Sequence, residues 1–208
     1  MISSKTLHRI ILEQYLEKYS KFISGNILDI GSKNRRYDHL FEGKITAVDI
    51  NPNPEMDIMY GEIIDLPFDD SCFNAVISIE VLEYIDLKNI PTAIKEIIRV
   101  LQNDGYCIIS IPFLYREHDD KIRMTYAQMN SLLKDYMLSD YSIHKIGNSY
   151  TIISDILKIK TYRLKSRMLR GILSRLLTLI PLVLDSLFNI FTNKGDGFYS
   201  GLLIIIKK

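Results

Sequence analysis

At 208 residues the chain has the length of one domain with room for an embellishment. A composition of 47% hydrophobic and 25% charged residues supports a sizeable core and excludes a disordered chain. Lys and Arg number 26 against 25 Asp and Glu, and the resulting net charge of +1 excludes wholesale polyanion binding of the histone type.

Cys72 and Cys107 cannot build a disulfide framework or a metal cluster on their own, and their apolar neighbours predict buried free thiols. The stretch from Met1 to Tyr15 is broken by His8, Arg9, Glu13 and Gln14, so it does not read as an export signal. A reducing, cytoplasmic setting is expected.

In chain order, Ser3 and Ser4 precede a helical pattern of Leu7, Ile10, Ile11, Tyr15, Tyr19 and Phe22, which Gly25-Asn26 breaks. A strand is expected over 27–30, ending at Gly31, then a brief helix near Tyr37–Phe41 and a second strand over 45–49. A third strand is expected over 56–60 and a fourth over 75–79, after the turn at 67–71. Ile90, Ala93, Ile94, Ile97, Ile98 and Leu101 line one face of a helix, and a fifth strand follows over 106–111. Thr125 with Gln128 forms a capping box for a helix carrying Met129, Leu132, Leu133 and Tyr136. The last strands are expected over 142–146 and 202–206. Short apolar strands alternating with helices indicate a doubly wound α/β domain with a mostly parallel sheet, whose ligands bind at the carboxyl ends of the strands.

Acids stand at those ends: Asp29 before Gly31, Asp49 after the second strand, and Asp65 beside Leu66 after the third. A carboxylate past a second strand can accept both hydroxyls of a ribose. Gly31 allows close backbone approach, and Asp65 with Leu66 and Phe68 suits the amine edge and faces of a purine. Together they describe a nucleoside pocket. The loop Gly31-Ser32-Lys33-Asn34-Arg35-Arg36 has neither the Gly-x-Gly-x-x-Gly of dinucleotide folds nor a Walker sequence, which disfavours NAD and ATP.

The segments at 27–31, Val48-Asp49, Asp65-Leu66-Pro67-Phe68 and 72–85, followed by Ala93–Leu101 and Asp104-Gly105-Tyr106, resemble the successive motifs of class I S-adenosylmethionine (SAM)-dependent methyltransferases, most closely the type-11 branch. The resemblance covers Asn26 to Pro112. It implies a Rossmann-like seven-stranded sheet with an antiparallel last strand, and SAM as cofactor. It further implies that Asp29 and Gly31 hold the methionine end, Asp49 the ribose, and Ile50 one face of adenine. Asp65 and Leu66 would meet the adenine amine edge, with Ser78 and Glu80 beside the sulfonium. A looser resemblance, from Ile111-Pro112-Phe113 through His118, Arg123 and Thr125, is to a subgroup of surface-polysaccharide clusters. This chain departs from the family in two places. Lys33 and Arg35 stand at glycine positions, where side chains crowd the methionine moiety unless the loop is wider, and Tyr84 replaces a common His. The implied reaction is methyl transfer to a small-molecule, glycan or lipid-linked acceptor; the alternative is a non-catalytic module that has lost cofactor binding.

Methyl transfer needs mainly positioning, and a general base only for a poorly nucleophilic acceptor. His118, beside Asp119 and Asp120 after the fifth strand, is the candidate base, with a solvated loop His as the alternative. Arg116 and Arg123 could grip an anionic acceptor or simply be surface charge.

Between Asp155 and Asp185 there is no acid, yet Lys158, Lys160, Arg163, Lys165, Arg167, Arg170 and Arg175 all fall there, with only Tyr162 interleaved. From Ile172 to Phe191 an apolar helical face alternates with Ser174, Arg175, Thr178, Asp185 and Asn189, and Pro181 interrupts it. One methyltransferase-like domain over 1–208 with a basic, apolar helical insertion at 151–195 is therefore expected. The insertion is either a cap on the substrate pocket or, through 158–191, a peripheral contact with the anionic inner face of a membrane. Nucleic acid is disfavoured as a partner.

Overall fold

Short apolar segments can bury both faces only within a sheet covered on each side, and this is what they form. A computed structural model describes residues 5–136, 140–161, 163–188 and 197–208, leaving aside the side chains of 182 and 184–188. Ser3, Ser4, Tyr162, Asn189 and Phe191 lie outside the described residues. The strands are β1 (Asn26–Ile30), β2 (Lys44–Asp49), β3 (Ile58–Tyr60), β4 (Phe73–Ile79), β5 (Leu101–Pro112), β6 (Asp140–Ile146) and β7 (Gly201–Lys207). They form one seven-stranded sheet in the order β3-β2-β1-β4-β5-β7-β6.

The first five strands pair in parallel, and Asp29 of β1 lies opposite Ala47 of β2 and Ile77 of β4. β7 runs antiparallel to β5: the Asp104 amide bonds the Lys208 carbonyl at one end, and the Phe113 amide bonds the Ser200 carbonyl at the other. The doubly wound α/β fold with a reversed last strand is thus as expected.

Among the described residues five α-helices accompany the sheet: α1 (Leu7–Ser20), α2 (Ile90–Val100), α3 (Tyr126–Asp135), α4 (Ser149–Thr161) and α5 (Arg167–Phe188). On α2, Ile90, Ala93, Ile94, Ile97 and Val100 are buried, which is the expected helical stripe. The Thr125–Gln128 capping box of α3 forms in both directions, at 3.2 and 2.9 Å. Several local expectations shift. α1 ends before Phe22, which is exposed, and its buried residues include Leu12 and Leu16 in place of Ile10 and Ile11. Asn53 caps a 3-10 turn over Pro54–Met56, so β3 starts only at Ile58. Leu101 opens β5 and does not belong to α2. Cys107 is buried as expected, whereas Cys72 is partly exposed, because it lies in the turn before β4 with its thiol on the Asp69 carbonyl.

The chain divides into two compact units. The larger comprises Leu16–Pro112, Arg116–His144 and Leu202–Lys208. Its core packs Ile27, Leu28, Val48, Val76, Ile77 and Leu203 of the sheet with Ile94 and Ile97 of α2. The smaller comprises Met1–Tyr15, Phe113–Tyr115 and Lys145–Gly201, and its interior is strongly polar. The buried Asp155 of α4 accepts from the amides of Leu7 at 2.6 Å and His8 at 3.0 Å, satisfying two of the donors that the start of α1 leaves unpaired. Lys158, one turn along α4, donates to the Lys5 carbonyl and to Thr178 of α5. His8 bonds Ser200 through Nδ1 at 2.7 Å, and the Ser200 hydroxyl continues to the Ile146 carbonyl.

Burial raises the Asp155 pKa, and the two amides oppose that shift. Removing the acceptor leaves both amides buried and unpaired. Asp155→Ala should therefore lower the unfolding free energy by about 1–3 kcal/mol, and Asp155→Asn, which keeps a carbonyl oxygen, by less. Urea melts measure both, and equal losses would show that capping is not what this carboxylate contributes.

Candidate active site

Three loops leave the carboxyl ends of β1, β2 and β4 within the larger unit. After β1 the amides of Gly31 and Ser32 both donate to the Val48 carbonyl of β2, at 2.8 and 3.1 Å. Gly31 has φ +71°, and a Cβ there would stand 2.4 Å from a Val81 methyl, so only glycine fits. Lys33 and Arg35 also have positive φ, at 52° and 51°. The loop thus keeps the left-handed backbone of a glycine-rich turn without the glycines.

Lys33 is exposed. The Arg35 guanidinium bonds Asp38 at 2.6 Å and the Asp57 carbonyl at 3.0 Å, on the side of the β2–β3 connection.

Asp29 is buried in the middle of the sheet and carries a pKa of about 7. Desolvation is the largest cause, with the carboxylates of Asp38 and Asp49 adding to it and Arg35 opposing. At the end of β2, Asp49 accepts the Lys33 amide at 3.0 Å and the Asn51 amide at 2.9 Å, one on each oxygen. An ionised carboxylate has about four acceptor sites, so capacity remains for two further donors. Ile50, the next residue, is 64% exposed.

Asp65 is exposed and sits in a turn closed by its amide on the Glu62 carbonyl at 3.0 Å. Glu62, closer to the end of β3, is a second acid on this turn, and Tyr60 donates to it. Leu66 is buried, its amide bonds Glu96 of α2 at 2.9 Å, and its carbonyl accepts from Arg99 at 3.0 Å. Its polar groups are therefore occupied by α2, and it anchors the turn.

At the end of β4, Ser78 is fully buried, and its hydroxyl has no partner among the described residues. Glu80 follows with φ +57°, its amide held by Ser110 of β5 at 3.1 Å. Glu83 lies in a 3-10 turn over Leu82–Tyr84 and is only 3% exposed, and its Oε2 has no hydrogen-bond partner among the described residues. Its pKa is about 8, through burial first and the nearby Glu80 and Asp120 next, with Arg123 opposing. The Glu83 carbonyl receives the amides of Lys121, at 2.7 Å, and Ile122, at 3.2 Å, which fastens the loop after β5 to this turn. On that loop Arg123 grips Asp120 with two bonds, Asp120 accepts the His118 amide at 2.7 Å, and the His118 side chain is exposed. Sequence reading missed Glu83 as a titrating group, because its burial comes from the loop that folds back on it.

Residues 28–109 match a family model described as a methyltransferase domain. Over 98 residues, 47% of this chain and 49% of the relative, the sequence is 35% identical to YrhH of Bacillus subtilis, provisionally named a methyltransferase. The chain thus spans about half the length of the curated relative it matches. Among solved structures, a SAM-dependent methyltransferase from Archaeoglobus fulgidus superposes with a TM-score of 0.61 at 16% identity, covering 96% of this chain and 94% of that one. The 1,6-didemethyltoxoflavin-N1-methyltransferase of Burkholderia thailandensis, solved with its substrate and S-adenosylhomocysteine (SAH), gives 0.59 at 14% identity over 99% and 79%. At these identities the structures share the fold.

Asp29 and Glu83 keep protons in the folded state up to about pH 7 and about pH 8, whereas the unfolded chain releases them near 3.8 and 4.5. The folded state therefore binds more protons between those limits, and stability falls as pH rises through them. The melting temperature of the ligand-free protein should decline from about pH 5 to about pH 8. Asp29→Asn and Glu83→Gln should each flatten that slope in a calorimetric pH series.

Proposed function

We propose that this chain, whose residues 28–109 match a methyltransferase-domain model, is a class I SAM-dependent methyltransferase that binds SAM at the carboxyl ends of β1, β2 and β4 and transfers its methyl group to a hydroxyl or amine acceptor. The observation that carries this reading is the convergence of Asp29, Asp49 and the loop of Gly31, Lys33 and Arg35 on one edge, with the loop backbone left-handed despite its bulky residues.

The residues suit the group chemically. A buried carboxyl whose pKa is raised to about 7 calls for a cation, and Asp29 would ionise against the ammonium of the methionine moiety. Asp49 would take the ribose hydroxyls on its remaining lone pairs, and the exposed Ile50 would cover adenine. Asp65 and Glu62 offer acceptors for an exocyclic amine, with Leu66 fixing their turn from behind. Ser78 and Glu80 would line the floor beside the sulfonium, where the unpartnered Ser78 hydroxyl supports a polar ligand. SAM supplies the methyl group as an electrophile, so the protein's work is to orient the acceptor and remove its proton.

Two groups can take that proton: His118 at the exposed rim and Glu83 in the buried turn after β4. Glu83, with an unpartnered oxygen and a pKa of about 8, matches the requirement that a base titrate near working pH. The acceptor is a small molecule, a glycan or a lipid-linked sugar, in a cytoplasmic step of surface-polysaccharide assembly. Arg116, beside this rim, suits an anionic acceptor.

Titration calorimetry tests the cofactor site. SAM and SAH should bind, and Asp49→Ala should weaken both by about a hundredfold, the effect of two charge-assisted hydrogen bonds. Affinity for SAM should rise from about pH 5 to about pH 7 as Asp29 ionises, and this slope should vanish in Asp29→Asn. No heat and no thermal shift with either ligand would overturn the assignment and leave a non-catalytic module.

A further inference from the structure

The smaller unit contains a helix turned inside out. The face of α5 that carries the polar Ser174 and Thr178 is buried, with Ser174 5% and Thr178 0% exposed. It meets α4 through polar bonds: Ser154 donates to the Leu177 carbonyl, and Lys158 donates to Thr178 at 2.7 Å. The opposite face holds the large apolar side chains, and Met168, Leu169, Ile172, Leu176, Ile180 and Val183 are all exposed. Their spacing of three and four residues makes one continuous stripe. Ile153 and Ile156 on α4 are exposed as well. A stripe of this size on one element marks an interaction surface.

Charge indicates what covers it. Lys160, Arg163, Lys165, Arg167 and Arg175 are exposed along the same hairpin, and no Asp or Glu occurs from 156 to 184. A second copy docking through the same patch would set these cations against each other, since a twofold contact is self-complementary. No helix among the described residues is long and apolar enough to cross a membrane. An apolar stripe edged by cations fits a helix lying in the plane of an anionic bilayer surface, with its apolar side chains among the upper acyl chains and its Lys and Arg at the phosphates.

We propose that the α4–α5 hairpin docks this protein on anionic lipid surfaces, with the exposed face of α5 as the membrane-inserting element.

Flotation of the full chain tests this with two vesicle populations: pure phosphatidylcholine, and phosphatidylcholine with about one third phosphatidylglycerol. The protein should float with the anionic vesicles and not with the neutral ones, and high salt should weaken the association. Arg163→Glu combined with Arg167→Glu should reduce partitioning about tenfold or more, and so should Ile172→Asp combined with Ile180→Asp. All four positions are exposed, so the melting temperature should be unchanged; if a variant fails to fold, the wild-type contrast between the two vesicles stands alone. The proposal is overturned if the protein stays at the bottom with both populations, or floats equally with both. It is equally overturned if light scattering shows a dimer that the Asp variants disperse while vesicles capture nothing.

Discussion

The carbonyl of Val48 is the point on which the site depends. Two successive amides, from Gly31 and Ser32, converge on it and turn the chain as it leaves β1. That turn forces the left-handed backbone at Gly31, Lys33 and Arg35 and delivers the Lys33 amide to Asp49. A non-glycine residue in this conformation costs roughly 1–2 kcal/mol, so two of them are a real expense. Local bonds offset part of it: Lys33 gains a charge-assisted acceptor in Asp49, and Arg35 gains Asp38 and the carbonyls around Asp57. The Asp38 and Asp57 bonds hold the Arg35 guanidinium on the side of the β2–β3 connection. Bulky residues at glycine positions therefore alter the source of the loop's stability and leave its path unchanged.

A second constraint is electrostatic. Asp29 and Glu83 are carboxyls placed where the ionised form is disfavoured, and Glu83 has an oxygen that bonds nothing. Packing alone would favour an apolar residue at either position, since a buried polar group without a partner costs about 1–3 kcal/mol. Such groups persist where a ligand completes them. Asp29 lies on β1 and Glu83 follows β4, the neighbouring strand, so a cationic ligand along this edge would lower the pKa of both.

Much of this was legible in the sequence. The strands could be placed because their apolar runs are short and are bounded by Gly31, the 51–54 loop, Gly105 and Pro112. The stripe of α2 and the capping box of α3 follow from side-chain spacing. Asp29 and Asp49 could be picked out because a parallel sheet delivers its strand ends to one edge. What stayed hidden depends on distant partners. The bonds that Glu96 and Arg99, a helix away, make to the backbone of Leu66 cannot be read from its sequence neighbours. Glu83 reads as an ordinary surface acid until the 116–123 loop covers it. The buried face of α1 is set in part by Asp155, which lies 148 residues from Leu7.

The C-terminal hairpin is the clearest case of pattern without direction. Periodicity establishes that α5 has an apolar face, and says nothing about which way that face turns. Here the polar seam decides. Lys158 and Asp155 are buried beside Thr178, Ser154 and the start of α1, and withdrawing a charge from water is tolerated only with good partners. Rotating α5 to bury its leucines and isoleucines would gain roughly 1–2 kcal/mol for each large side chain, yet would strip Lys158 of Thr178 and leave a buried ammonium short of an acceptor. The seam accounts for the burial of the Ser174–Thr178 face of α5, and in the docking proposed above a lipid surface covers the apolar stripe on the other side.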